Sequence, residues 1–285
     1  MAPTLAPLWF YADVIALLGV FGLLIGSFLN VVVYRVPAGL SIVWPPSACP
    51  TCGEQIKPYD NIPVISWLVL RGKCRNCATP ISPRYLFVEL GTGVFFALVA
   101  WRFWPFASDV TDASQLASRI LTLLAFLYLA AISVVLALID LDTHKLPNAI
   151  VLPSYLVGAV LLAASALSSH DLGRLLTAAI GAAAAFALFF LLAFAVPGGM
   201  GFGDVKLAGV LGLFLGFLGW GQLVVGIFGG FLLGGLFAIG LLIARRAGRR
   251  SGIPFGPWML AGAWLGVAAG GPLIDSYLTL TGLAG

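Results

Sequence analysis

The sequence predicts an all-α polytopic membrane protein of about eight transmembrane helices, with a small cytoplasmic domain between the first two. Hydrophobic residues make up 61% of the 285-residue chain and charged residues only 9%, against about a quarter charged in ordinary globular proteins. A soluble fold with so few charges could not cover its surface, whereas a bilayer takes the place of water. Apolar runs near the length that spans a bilayer recur along the chain, and all four cysteines fall in one long polar stretch after the first run.

Each run is bounded by charges or by Pro/Gly clusters, and roughly 20 residues cross the hydrocarbon. Spans are predicted at 11–34, 85–104, 119–139, 149–168, 175–196, 205–219, 222–244 and 257–275. The sixth is short and rich in glycine. Before the first run, Met1 to Tyr11 carries no Lys or Arg, and no A-x-A-like site follows, so the first span is expected to stay in the mature protein.

Basic residues set the orientation. Twelve of the fifteen, namely Arg35, Lys57, Arg71, Lys73, Arg75, Arg84, Lys145, Lys206 and the four arginines of 245–250, fall on one face of the eight-span arrangement. The other face has Arg102, Arg119 and Arg174, with Asp13, Asp109, Asp112, Asp171 and Asp275. The basic face is expected to be cytoplasmic, with both termini on the opposite side. The run 245–250 reads as a topogenic anchor beside anionic lipid, with substrate docking as its alternative. The net charge of +4 is modest, and its distribution says more than its total; membrane lipids, and no nucleic acid, are the expected partners.

The cysteines form two knuckles, Cys49-Pro-Thr-Cys52 and Cys74-Arg-Asn-Cys77, with 21 residues between them. Each knuckle points two thiolates at one ion, so the spacing matches a Cys₄ zinc site. Unrelated thiols or a redox pair are the alternatives, and a cytoplasmic setting argues against structural disulfides. Four thiolates leave no open position, so the zinc is expected to be structural. Between the knuckles, Ile62, Val64, Trp67, Leu68 and Leu70 are apolar enough to predict a small core. The expected domains are the first transmembrane helix (1–34), a zinc-binding loop domain (35–84) and a transmembrane domain (85–285).

Two aspartates mark the same edge of the bilayer. Asp140 ends the third span in Leu-Ile-Asp-Leu-Asp-Thr-His-Lys-Leu-Pro-Asn, and Asp204 enters the sixth in Gly198-Gly-Met-Gly-Phe-Gly-Asp-Val-Lys206. Ionisable residues at membrane depth are costly and face a cavity or a partner. An interfacial loop is the plain alternative for 140–148. Gly201 and Gly203, however, allow irregular backbone before an acid. No G-x-x-x-x-G-K-[ST] is present, and an aspartate would repel phosphate, so a phosphate-binding loop is excluded. His144 and His170 form no convincing pair with any serine.

With these residues in view, Asp140-x₅-Leu146-Pro147-Asn148 followed by Gly201-x-Gly203-Asp204 resembles the paired motifs of the prepilin (type IV leader) peptidases, GxGD-type aspartyl proteases of the bacterial inner membrane. The likeness extends through Gly26-Ser-Phe-Leu-Asn-Val-Val-Val-Tyr-Arg35, the cysteine knuckles, Ser82-Pro-Arg-Tyr85 with Glu89, and Ile253-Pro-Phe-Gly-Pro257. It implies that Asp140 and Asp204 are the catalytic pair, supported by Leu146, Pro147, Asn148, Gly201, Gly203 and Lys206. Asp142 lies off the motif, and two positions along a helix turn it from Asp140's face. Asn148 stands where many relatives carry Asp, which leaves no third carboxylate there.

The resemblance also implies a reaction. Two carboxylates in one site share a proton, so the ionised member activates a water while the other stabilises the oxyanion and protonates the leaving amine. Substrates would be type IV prepilins or type II secretion pseudopilins, cut after a glycine at the cytoplasmic membrane face. Members with the long cysteine loop also methylate the new N-terminus with S-adenosylmethionine, and Gly72 matches a position relevant to that step. A plain turn is the alternative for Gly72. Other classes are a proton-coupled transporter relaying through Asp140 and Asp204 and a scaffold recruiting partners through the zinc domain. No obvious internal repeat supports the first, and the second leaves the Gly-x-Gly-Asp turn idle.

Overall fold

The computed structural model describes residues 8–104, 112–196, 200–244 and 254–282. The basic run 245–250, Asp109, Gly198, Gly199 and Ile253 lie outside the described residues. The chain runs through α1 (Leu8–Arg35), the one-turn α2 (Ile65–Val69), α3 (Pro83–Phe103), α4 (Ala113–Thr143), α5 (Asn148–Ser168), α6 (Leu172–Ala195), α7 (Phe202–Leu218), α8 (Trp220–Ile243) and α9 (Gly256–Leu280). Among the described residues there is no strand, only isolated bridges in the cysteine loop. Seven of the eight long helices are long and apolar enough to cross a membrane. The eighth, α7, has only 17 residues.

Three helix ends differ from expectation for local reasons. Helix α4 extends to both sides of 119–139, because Asp112 caps its start by accepting the Gln115 N–H at 2.9 Å and His144 closes its end in the left-handed region. Asp140 therefore lies inside the helix. Helix α7 begins three residues early. Asp204 occupies its first turn and accepts the Gly201 N–H at 3.1 Å through Oδ2, half of a capping box.

Helix α7 is the centre of the bundle. From Val205 to Phe217 nearly every residue is buried, so its shortness reflects burial in protein instead of exposure to lipid. It lies directly on α6, where a side chain on Gly216 would come within 2.5 Å of the Thr177 carbonyl and 3.1 Å of Ala178 Cα. Lipid tails are as apolar as the helices, so close backbone approach through small residues takes the place of hydrophobic drive. Helices α8 and α9 meet in the same way through Gly226, Gly262 and Gly266. Helix α4 supplies much of the remaining core, with Phe126, Leu129, Leu136 and Ile139 fully buried.

The cysteine loop is built differently from the expected small core. Ile62 and Leu68 are exposed, and only Val64, Trp67 and Leu70 are half-buried. A helix as short as α2 has too little surface to enclose a core. Polar ties hold the segment instead: Ser66 Oγ accepts from Ile62 N–H at 3.1 Å and donates to the Tyr59 carbonyl at 2.9 Å. Arg75 forks onto Asp60 at 2.6 Å and holds that carboxyl below the usual carboxylate range. Arg35, the last residue of α1, donates to the carbonyls of Ser41 and Pro45 at 2.9 and 2.7 Å, which fixes the loop's departure.

Candidate active site and metal centre

The end of α4, the starts of α5, α7 and α9, and the residues following α1 meet at one end of the bundle. They enclose a cavity of about 510 Å³ lined by Asp140, Leu146, Asn148, Gly201, Gly203, Asp204 and Lys206, with Val36 and Pro37 closing one side. The two aspartates thus open onto one space. Asp140 is 4% exposed, whereas Asp204 is half-buried.

Asp140 is held by a residue to which sequence motifs assigned no role. Its Oδ2 accepts the backbone N–H of Gly256 at 2.9 Å, across 116 positions. Gly256 is the first residue of α9, so this N–H has no partner within its own helix and carries the positive end of the helix dipole. A Cβ at this position would stand 2.7 Å from Oδ2 and 3.4 Å from Leu146 Cδ2, so only glycine fits without a shift. The Ile253–Pro257 motif contained Gly256, but nothing in spacing or composition shows which distant group a backbone donor meets.

Leu146 joins the two acid-bearing segments. Its Cβ would be 3.0 Å from a side chain on Gly203, so Gly203 lets α7 close onto the turn after α4. Lys206 Nζ donates to Asn148 Oδ1 at 2.9 Å and lies 4.9 Å above the Phe202 ring. Pro147 is the N-cap of α5, in extended conformation, and the Tyr155 hydroxyl of α5 donates to the Lys206 carbonyl at 2.7 Å. Asp142 takes no part in the cavity lining. Arg84 at the start of α3 clasps it through two hydrogen bonds of 3.0 and 2.6 Å, pointing it away as its helical position predicts.

The four cysteine sulfurs all lie within 4.8 Å of one another. Four thiolates about 2.3 Å from one tetrahedral ion stand about 3.8 Å apart, and Cys49 Sγ and Cys77 Sγ are separated by 3.7 Å. The two knuckles are near-copies. Gly53 N–H donates to the Cys49 carbonyl at 2.9 Å and Ala78 N–H to the Cys74 carbonyl at 3.0 Å, and Gly53 and Ala78 both have positive φ. Thr79, through its hydroxyl and then its backbone, holds the Cys77 thiol down to about 6. The cluster could hold a metal ion, and its donor set fits zinc.

A second cavity, of about 810 Å³, lies under this cluster and over the adjoining ends of α1 and α3. Cys49, Cys74, Trp67, Tyr34, Tyr85 and Glu89 are among its walls. Gly72 is not. It has φ +65°, and a Cβ there would meet Trp67 Cζ2 at 2.8 Å, so its direct contact is with a ring that lines the cavity. The two cavities flank the end of α1, with Tyr34 and Arg35 facing one and Val36 the other.

Residues 20–103 match the bacterial peptidase A24 N-terminal domain, and residues 127–239 match the type IV leader peptidase family. Proteins named prepilin leader peptidase/N-methyltransferase align along most of the chain. That of Pseudomonas aeruginosa is 34% identical, covering 92% of each chain. That of Aeromonas hydrophila is 34% identical over 95% of each. The Neisseria gonorrhoeae protein is 35% identical, over 88% of this chain and 89% of its own. No solved structure matches the chain.

Proposed function

This chain belongs to the type IV leader peptidase family, and we propose that it cleaves the basic leader of type IV prepilins and pseudopilins by aspartyl chemistry at Asp140 and Asp204. The observation that carries the proposal is their convergence: two acids from separate helices, 64 positions apart in the chain, open onto one cavity with no basic side chain paired to either among the described residues. One carboxylate takes a proton from a water that attacks the carbonyl carbon of the substrate's glycine. The other donates to the developing oxyanion and then protonates the leaving amine. The Gly256 N–H keeps Asp140 from rotating as charge shifts, and Leu146 keeps α7 against it.

The enzyme is read as an inner-membrane protein with this cavity at the cytoplasmic face and both termini periplasmic, since the basic loops share that end. Membrane lipids meet the apolar helix faces. The segments 1–34, 35–84 and 85–285 serve as anchor, metal-pinned loop and peptidase domain. Zinc would be held by Cys49, Cys52, Cys74 and Cys77 and would fix the loop's fold. The larger cavity suits S-adenosylmethionine, whose sulfonium supplies the methyl group for the new N-terminus. Its volume lies within the range of small-molecule sites, and its walls combine aromatic with polar groups. Gly72 supports that activity through Trp67. A transporter relay has no support, because both acids sit at one end of the bundle.

Asp140→Asn and Asp204→Asn, each assayed in membranes with a prepilin substrate, test the assignment. Both are expected to abolish cleavage, and normal processing by either variant refutes the pair. Metal analysis of purified protein is expected to find about one zinc per chain.

A further inference from the structure

Glu89 lies in the seventh position of α3, about 9 Å along the helix from its start. It is only 8% exposed. Where α1 crosses α3, a Cβ on Gly26 would come within 2.8 Å of the Glu89 backbone, so the residue sits at the floor of the larger cavity, between the two helices. One carboxyl oxygen, Oε2, accepts the Val64 N–H at 2.7 Å.

That hydrogen bond holds an unusual turn. Val64 has φ 63° and ψ −53°, and the Ile65 N–H reaches back to the Pro63 carbonyl at 2.6 Å. This is a γ-turn of the rarer, strained hand, and a β-branched residue is the least suited to it. Backbone strain of this kind persists where surroundings over-determine it, and it clusters at functional sites.

The other carboxyl oxygen makes no hydrogen bond among the described residues, and no basic side chain pairs with Glu89. Arg75 is taken by Asp60, Arg84 by Asp142 and Arg35 by loop carbonyls. No enclosed side-chain oxygen among the described residues lacks a partner, so this free oxygen opens onto the cavity that Glu89 lines. A nearly buried carboxyl group with one neutral donor is a site for a cation.

We propose that Glu89 binds the free N-terminal ammonium of the cleaved substrate in the larger cavity and accepts its proton for methyl transfer. The inference rests on the methyl-transfer reading above and assigns its amine site. The ammonium passes a proton to the free oxygen of Glu89. The amine lone pair then forms the N–C bond to the methyl carbon of a sulfonium donor. The carbon–sulfur bond breaks with its electron pair returning to sulfur, which leaves a thioether and a methylated ammonium. Glu89 returns its proton to water. The Val64 N–H fixes one oxygen so that the other faces the substrate.

The test uses the purified full chain with its metal in lipid nanodiscs. Glu89→Gln keeps an acceptor for Val64 but loses the carboxylate, so it separates chemistry from folding. Calorimetry with a pre-cleaved pilin peptide is expected to show binding weakened at least tenfold in Glu89→Gln. The same peptide with an acetylated N-terminus is expected to bind the parent and the variant equally. Labelled methyl transfer is expected to fall at least tenfold, with zinc content and leader cleavage retained. Equal binding of the free and acetylated peptides to the parent, or undiminished methyl transfer in Glu89→Gln, overturns the assignment. If the parent protein transfers no methyl group, the methyl-transfer reading fails, and the peptide comparison alone decides whether Glu89 binds the amine.

Discussion

Replacing Gly256 with alanine is expected to cripple peptide cleavage without unfolding the protein. The new methyl group would lie 2.7 Å from Asp140 Oδ2 and 3.3 Å from its Cγ, well inside ordinary contact, and Leu146 blocks retreat on the other side. The short aspartate side chain must therefore swing off the Gly256 N–H and give up the 2.9 Å hydrogen bond. A hydrogen bond to a charged group contributes about 1.5–3 kcal/mol, and each 1.36 kcal/mol of barrier is about tenfold in rate. The expected loss in kcat is thus roughly 10- to 150-fold. KM should change little, because the displaced group acts on water and not on the bound leader. The assay is initial-rate cleavage of a purified prepilin over a range of concentrations, with labelled methyl transfer to a pre-cleaved substrate as the control for folding. Gly256→Ala with kcat within twofold of the parent, or with both activities lost together, would refute the reasoning.

Asp142→Asn is expected to leave cleavage within about fivefold, since its pair with Arg84 is exposed and such pairs contribute about 0.2–1 kcal/mol. The contrast with Asp140→Asn is read in the same cleavage assay. Stripping the metal with a strong chelator should abolish methyl transfer while much of the cleavage activity persists, because Cys49 and Cys74 wall the larger cavity and no cysteine lines the smaller one. Parallel loss of both activities would show that the two cavities are coupled. Val64→Gly should slow zinc release to a colorimetric chelator several-fold, because relief of about 1–3 kcal/mol of strain outweighs the glycine's added chain entropy of about 0.5–1 kcal/mol.

The membrane class and most of the span positions were legible because hydropathy over about 20 residues depends on local composition alone. The ends of α4 and α7 were harder to place, since capping by Asp112 and Asp204 let the helices continue through charged residues taken as boundaries. The cysteine cluster was readable because its spacing is local to each knuckle. The expected core between the knuckles failed because a five-residue helix has too little surface to enclose one, and both Ile62, ahead of it, and Leu68, within it, are exposed. Helical periodicity and the motif position together set Asp142 apart from Asp140, and the clasp by Arg84 agrees. Gly256 and Val64 left no such mark. Their importance lies in backbone atoms whose partners, Asp140 and Glu89, are fixed only by tertiary approach.

The hydrogen bond between Asp140 and Gly256 also bears on when the molecule becomes competent during its synthesis. The acid leaves the ribosome 116 residues before the amide that steadies it, and that amide begins α9, after α4 to α8 have been made. A nascent chain carrying both aspartates but lacking this last described helix has its acids without their brace. Asp140 therefore gains its Gly256 partner only once α9 has been made and packed against the end of α4, so this contact is among the last the bundle can form.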